Sequence, residues 1–168
     1  MEHMWAPWRI QYIKEATGPK TEGCFLCDNP QAKDDEKNLV LYHGKLNYVI
    51  MNRYPYNAGH LMVAPSRHCG LLEGLEPAER DEHFMIVTRC VAILREAFHC
   101  DGFNVGLNLG RVAGAGMDQH IHTHIVPRWH GDTNFMPILA DTKVINEAIG
   151  ETYNMLKPHF GSLERRFE

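Results

Sequence analysis

Residues 119–128 read Gln-His-Ile-His-Thr-His-Ile-Val-Pro-Arg, which places imidazoles at every second position, His120, His122 and His124. A neutral ring nitrogen can ligate a metal or attack an electrophile, and a protonated one can donate to an anion. Which of these the rings do depends on where they point. Side chains of a strand alternate between two faces, so in a strand the three histidines share one face while Ile121, Thr123 and Ile125 share the other. In a helix, residues two apart diverge by about 200° and the rings would scatter. The β-branched neighbours favour a strand, and Pro127 marks its end. A row of imidazoles leaves three readings: a solvent-facing strand, a metal site, or covalent catalysis. Three rings in register behind a glycine-rich loop make the first the poorest.

The chain around this row is ordinary for one globular domain: 168 residues, 44% hydrophobic, 23% charged. A formal charge of −4 argues against non-specific nucleic-acid binding. No apolar run approaches the roughly 20 residues that span a bilayer, and the N-terminus lacks the apolar core of a signal peptide. The expected location is the cytoplasm. Five cysteines, with only Cys24 and Cys27 closely spaced, argue against a secreted disulfide framework. Cys24-Phe25-Leu26-Cys27 is half a zinc knuckle by spacing; a redox pair and two free cysteines are the rivals.

The elements that must position the histidines follow from periodicity. Residues 1–23 read as an arm carrying Trp5 and Trp8, and 24–168 as a single domain. "GCFLCDNP" reads as a turn-like unit. "NLVLYH" and "NYVIMN" form a hairpin about Gly44-Lys45, and "HLMVAPSRH" is a third strand ending near Pro65. A long helix is expected from Pro77 to about Cys100, with Phe84, Val87, Val91, Leu94 and Phe98 as its buried stripe and Glu79, Asp81 and Glu82 favouring its dipole. "FNVGLNL" is a fourth strand, "GRVAGAGMD" a loop, and the histidine stretch a fifth strand. A second helix is expected over Asp141–Lys157, with Pro158 after its end. The class is α+β, with a mainly antiparallel five-stranded sheet, one long helix and a C-terminal helix.

"HIHTHIV" resembles the His-x-His-x-His-x-x signature of the histidine triad (HIT) family of nucleotide hydrolases and transferases, with Thr123 the one polar residue at an x position. "YVIMNRYPYNAGHLMVAPSRH" and "GFNVGLNLG" extend the likeness over roughly 24–136. Asn52-Arg53, Gly59-His60, "MWAPWR" and "PRWHGDTNFMP" look like the branch of the fragile histidine triad protein and the bacterial dinucleoside tetraphosphate phosphorylases. The resemblance implies that His122 attacks the α-phosphorus of a nucleotide, forming a nucleotidyl-histidine, with a dinucleoside polyphosphate such as Ap4A or Ap3A as substrate. It implies that His124 hydrogen-bonds phosphate oxygens, that His60 supports the triad, and that Asn52 meets the ribose. Asn108 and the backbone around Gly116 would meet phosphate. Many members carry Gln and Ser or Thr where this chain has Gly116 and Met117, which points to phosphate rather than water as acceptor. Some members bind zinc through a cysteine pair and two histidines, here Cys24, Cys27, His68 and His120, a closed structural set; the displacement itself needs no cofactor. The resemblance also implies a homodimer joined sheet to sheet. The alternative is a zinc-stabilised nucleotide-binding or partner-binding protein with little turnover.

Overall fold

The computed structural model describes residues 23–132 and 148–161. The expected arm, apart from Gly23, lies outside them. Helices α1 (Phe25–Gln31) and α2 (Asp35–Asn38) lead into strands β1 (Val40–His43), β2 (Asn47–Met51) and β3 (Leu61–Pro65). A 3₁₀ turn and the long helix α3 (Pro77–Phe98) follow, then β4 (Gly102–Leu107), β5 (Thr123–Arg128) and α4 (Ile149–Phe160). The strand order is β1-β2-β3-β5-β4, and every adjacent pair is antiparallel. The expected α+β class and five-stranded sheet are therefore present.

The ladder divides the sheet into two faces. Ile50, Met62, His124 and Gly106 stand opposite one another across β2, β3, β5 and β4, and so share one face. Val49, Val63 and Thr123 make the neighbouring row, which faces the other way. Helix α3 packs against β2, β3 and β5, and α4 against β1 and α3. The core joins Val49, Val63 and Ile125 to Ile86, Cys90 and Leu94 of α3 and Tyr153, Leu156 and Phe160 of α4.

Four details differ from the sequence reading. The Cys24 segment is a short helix rather than a turn: Cys24 is its N-cap, and its carbonyl accepts from the N–H groups of Cys27 and Asp28 at 2.7 and 3.0 Å. The buried stripe of α3 runs through Glu79, His83, Ile86, Val87, Cys90 and Leu94, while Phe84 is 72% exposed. Hydrophobicity counting chose Phe84 and passed over Glu79 and His83, whose polar atoms are satisfied inside the fold. Helix α4 begins at Ile149, because Ala148 is extended, and runs on through Pro158; the expected start at Asp141 lies outside the described residues. Burial of Phe160 holds the last turn despite the proline, and the carbonyl of Asn154 that loses its donor belongs to an exposed residue. Finally, the fifth strand starts at Thr123, so His120 and His122 lie just before the ladder rather than in it.

Candidate active site

The three triad histidines do three different things. His120 turns toward the N-terminal segment. Its Nε2–H donates to the Pro65 carbonyl at 2.8 Å, which leaves the Nδ1 lone pair facing Cys24 Sγ at 3.3 Å and Cys27 Sγ at 3.4 Å. His68 Nδ1 lies 3.2 Å from Cys27 Sγ, and one donor atom from each of the four residues falls within 4.8 Å of the rest. A tetrahedral zinc with bonds of about 2.0 Å to nitrogen and about 2.3 Å to sulfur sets its ligands about 3.5 Å apart. The donor set, the spacing and the tautomer of His120 all fit a closed metal site. Burial, then the adjacent Cys24, pushes the Cys27 thiol up to about 11; a bound dication reverses that trend by favouring thiolates.

His122 points into a cleft. Its Nδ1–H donates to the His120 carbonyl at 2.8 Å, and a carbonyl can only accept, so Nε2 carries the lone pair. Burial holds its pKa below the usual histidine value, with the His120 carbonyl pulling the other way. The ring is therefore a neutral imidazole of defined tautomer, with its lone pair on Nε2.

His124 is set by a relay. The Tyr56 backbone N–H donates to His60 Nδ1 at 3.0 Å, so the proton of neutral His60 sits on Nε2 and is given to His124 Nδ1 at 2.9 Å. His124 must then carry its own proton on Nε2, which makes it a donor. Its ring centroid is 4.9 Å from that of His122, edge to face. One lone pair and one N–H thus stand side by side, an arrangement able to attack an electrophile and donate to its oxygens.

The cleft has a volume of about 330 Å³, the scale of a small-molecule site. Its floor is Ile50 and Met62 of the sheet, with Met51 beside them. Phe25, Asn29, Asn38 and Leu39 line one wall, and Gly114, Gly116 and Met117 another, with the histidines between. Of the expected site residues, Asn52, Gly116, His122 and His124 line this cleft. Asn52 Oδ1 accepts from the Tyr54 N–H at 2.9 Å, which fixes the amide. His60 stands behind His124 and borders a neighbouring cavity of about 200 Å³. Asn108 does not line the cleft; its amide N–H reaches the Gly114 carbonyl at 3.5 Å and spans the loop. An ion pair of Arg111 and Asp118 at 3.0 Å braces the same loop.

Sequence reasoning missed Asn29, Asn38, Tyr54, Tyr56 and Met62 in this lining; the last three lie in the stretch 48–68 that carried the resemblance, whereas no motif marks Asn29 and Asn38. Phe25, between the two cysteines, lines the cleft, whereas its neighbour Leu26 is buried in the core. Trp129 packs edge-on against Phe98 with ring centroids 6.2 Å apart, and its Nε1–H donates to the Phe98 carbonyl.

A five-stranded antiparallel sheet that presents a neutral imidazole to a cleft of about 330 Å³ is the arrangement of the histidine triad class of α+β domains. Residues 33–131 match the HIT domain family, and the chain belongs to it. A protein named AP-4-A phosphorylase, from Mycobacterium tuberculosis, is 38% identical over 162 residues, covering 93% of this chain and 83% of its own length. The bis(5'-nucleosyl)-tetraphosphatase [asymmetrical] of Schizosaccharomyces pombe is 32% identical over 93 residues, 55% of this chain and 50% of its own. A Zn-bound histidine triad family protein from Mycobacterium smegmatis superposes with a TM-score of 0.61 at 25% identity, over 76% of this chain and 87% of its own.

Proposed function

We propose that the chain is a nucleotidyltransferase that opens dinucleoside polyphosphates, of the diadenosine tetraphosphate kind, at the α-phosphate. His122 Nε2 attacks the α-phosphorus, and the anhydride bond to the rest of the substrate breaks with its electron pair leaving on oxygen. The His124 Nε2–H meets the phosphoryl and leaving oxygens as charge builds there. An acceptor oxygen then attacks the same phosphorus, the P–N bond breaks, and His122 returns neutral. One hard displacement becomes two easier ones. Asn52 is placed for the ribose hydroxyls and Phe25 for a base, while Gly116 lets backbone N–H groups approach phosphate.

The observation that carries this reading is the tautomer of His122 inside a cleft of nucleotide size. Phosphate is the acceptor we favour. The loop carries Gly116 and Met117, neither of which offers the amide or hydroxyl that would orient a water. The relative of 38% identity bears the name of a phosphorylase. Incubating diadenosine tetraphosphate with inorganic phosphate is expected to yield ADP and ATP. Equal turnover to AMP and ATP without phosphate would rule phosphorolysis out.

Cys24, Cys27, His68 and His120 are the residues that would hold zinc, as a structural ion that ties the N-terminal segment to the catalytic run. Elemental analysis of protein purified without chelator is expected to give one zinc per chain; a metal-free protein with freely titrating Cys24 and Cys27 would refute this. We place the enzyme in the cytoplasm as a homodimer. Its partners are nucleotides, with no nucleic acid or membrane. No helix among the described residues is long and apolar enough to cross a membrane.

A further inference from the structure

Two features stand unused by the chemistry above: Thr123, the hydroxyl residue between the two cleft histidines, and His83, a histidine buried in α3. They meet at 2.7 Å, His83 Nε2 to Thr123 Oγ1, and are 8% and 4% exposed. The direction of this hydrogen bond can be worked out from the far end. Glu82 accepts the N–H groups of Lys45 and Leu46, both at 2.8 Å, and the Asn47 amide at 2.9 Å. The other amide hydrogen of Asn47 goes to the Glu79 carbonyl at 3.0 Å. With both hydrogens committed, Asn47 Oδ1 accepts, and His83 Nδ1–H donates to it at 2.9 Å. Neutral His83 then has a lone pair on Nε2, and the Thr123 hydroxyl donates to it.

This chain ends at a sensitive point. Thr123 is the first residue of β5 held by the ladder, paired with Val63 and Leu107. His122, one residue earlier, lies outside it. The run that carries the nucleophile is held by the His120 Nε2–H to the Pro65 carbonyl at 2.8 Å, the Ile121 N–H to the Cys69 carbonyl at 2.7 Å, His122 Nδ1–H to the His120 carbonyl, and the Thr123 hydroxyl. A tether at Thr123 therefore sets the torsions from which His122 and His124 project. Misplacing reacting groups by about 1 Å can cost about 100-fold in rate.

We propose that Thr123 and His83 are positioning residues: the Glu82–Asn47–His83–Thr123 chain, buried from Asn47 onward, fixes the back of the catalytic run so that His122 Nε2 and His124 Nε2–H stay aligned on one phosphoryl group. The inference rests on His122 being the nucleophile.

The test is steady-state turnover of diadenosine tetraphosphate with inorganic phosphate, together with the yield of nucleotidylated protein by mass spectrometry. Thr123→Val keeps the side-chain shape and removes the donor. It is expected to lower kcat about 10-fold with KM within about twofold, and to slow adduct formation in parallel. Thr123→Ser, which keeps the hydroxyl, is expected to restore most of kcat. Thr123→Ala leaves room for a water on His83 and serves if the valine variant does not fold; it is expected to lower kcat in the same way. A folded Thr123→Val or Thr123→Ala protein with kcat within twofold of the parent overturns the inference, and so does Thr123→Ser as slow as Thr123→Val. His122→Asn is run beside them: if it retains turnover, the nucleophile reading fails; if it is inactive while Thr123→Val is normal, only the positioning role fails.

Discussion

The state of the His122 ring is set by its neighbours. The His120 carbonyl chooses its tautomer, burial keeps it neutral, and a row of relayed protons behind His124 makes that neighbour a donor rather than a second base. His122→Asn is expected to abolish turnover and the adduct while nucleotide still binds, as measured by calorimetry; residual full activity would remove the ring from the reaction. That outcome also separates an enzyme from a zinc-stabilised binding protein. His60→Leu cuts the relay at its middle and frees the tautomer of His124, so kcat should fall by about 10-fold to 100-fold with little change in KM. Of this arrangement, the alternation of the histidines was legible in the residues, and the family resemblance pointed to Asn52 and Gly116, which line the cleft. The relay was not, because a ring's tautomer is decided by partners distant in sequence: the Tyr56 N–H for His60, and His60 for His124.

Helix α3 shows the same lesson one scale up. Its apolar residues repeat at helical spacing, so its existence and length are plain. Val87 and Leu94 are buried with Val91 and Phe98 packed against the core as expected, yet Phe84 faces outward and Glu79 and His83 are buried instead. Glu79, Glu82 and His83 face the sheet and serve it. Glu79 takes the fork of Arg67 at 2.9 and 2.7 Å, one residue before His68, and also caps the helix through the Glu76 N–H at 2.8 Å. Arg67 first, and that N–H as well, hold the Glu79 carboxyl below its usual range against the opposing effect of burial. Phe84→Ser should therefore change stability by less than about 0.5 kcal/mol, whereas Leu94→Ala should cost about 2–5 kcal/mol, both by denaturant melts.

Acid should find the same helix. Burial lowers His83 from 6.5 to about 4, with neighbouring Glu82 opposing; Asn47 of β2 and Thr123 of β5 face it without charge. As the pH falls below 6.5 the unfolded chain takes up this proton first, so stability present above 6.5 is lost on the way down to about 4. At about 1.4 kcal/mol per tenfold in proton affinity the loss is about 3 kcal/mol, and His83→Gln should flatten that part of the pH–stability curve. An unchanged curve would contradict it.

At the scale of the molecule, the sheet ends on β4, whose Val105 and Leu107 are 48% and 36% exposed, with Leu109 and Val112 beyond them. Edge strands with open backbone groups and apolar side chains invite a second strand. In the homodimer we propose, this edge meets its own copy. Val105→Glu with Leu107→Glu is expected to shift sedimentation from two chains to one, and a variant that remains dimeric would place the interface elsewhere.

Much of this architecture was written locally. Alternation made the strands, a three-to-four residue repeat made α3, and the histidine spacing set His122 and His124 on one face, because those periods are properties of the backbone itself. What the tertiary structure alone decided was the assignment of work among like residues. Three identical imidazoles became a member of a cluster able to hold a metal, a lone pair and a donor because Cys24 and Cys27, the His120 carbonyl and His60 stand beside them in the fold. A side chain's chemistry is set by its nearest partners, and those partners lie up to 96 residues away along the chain.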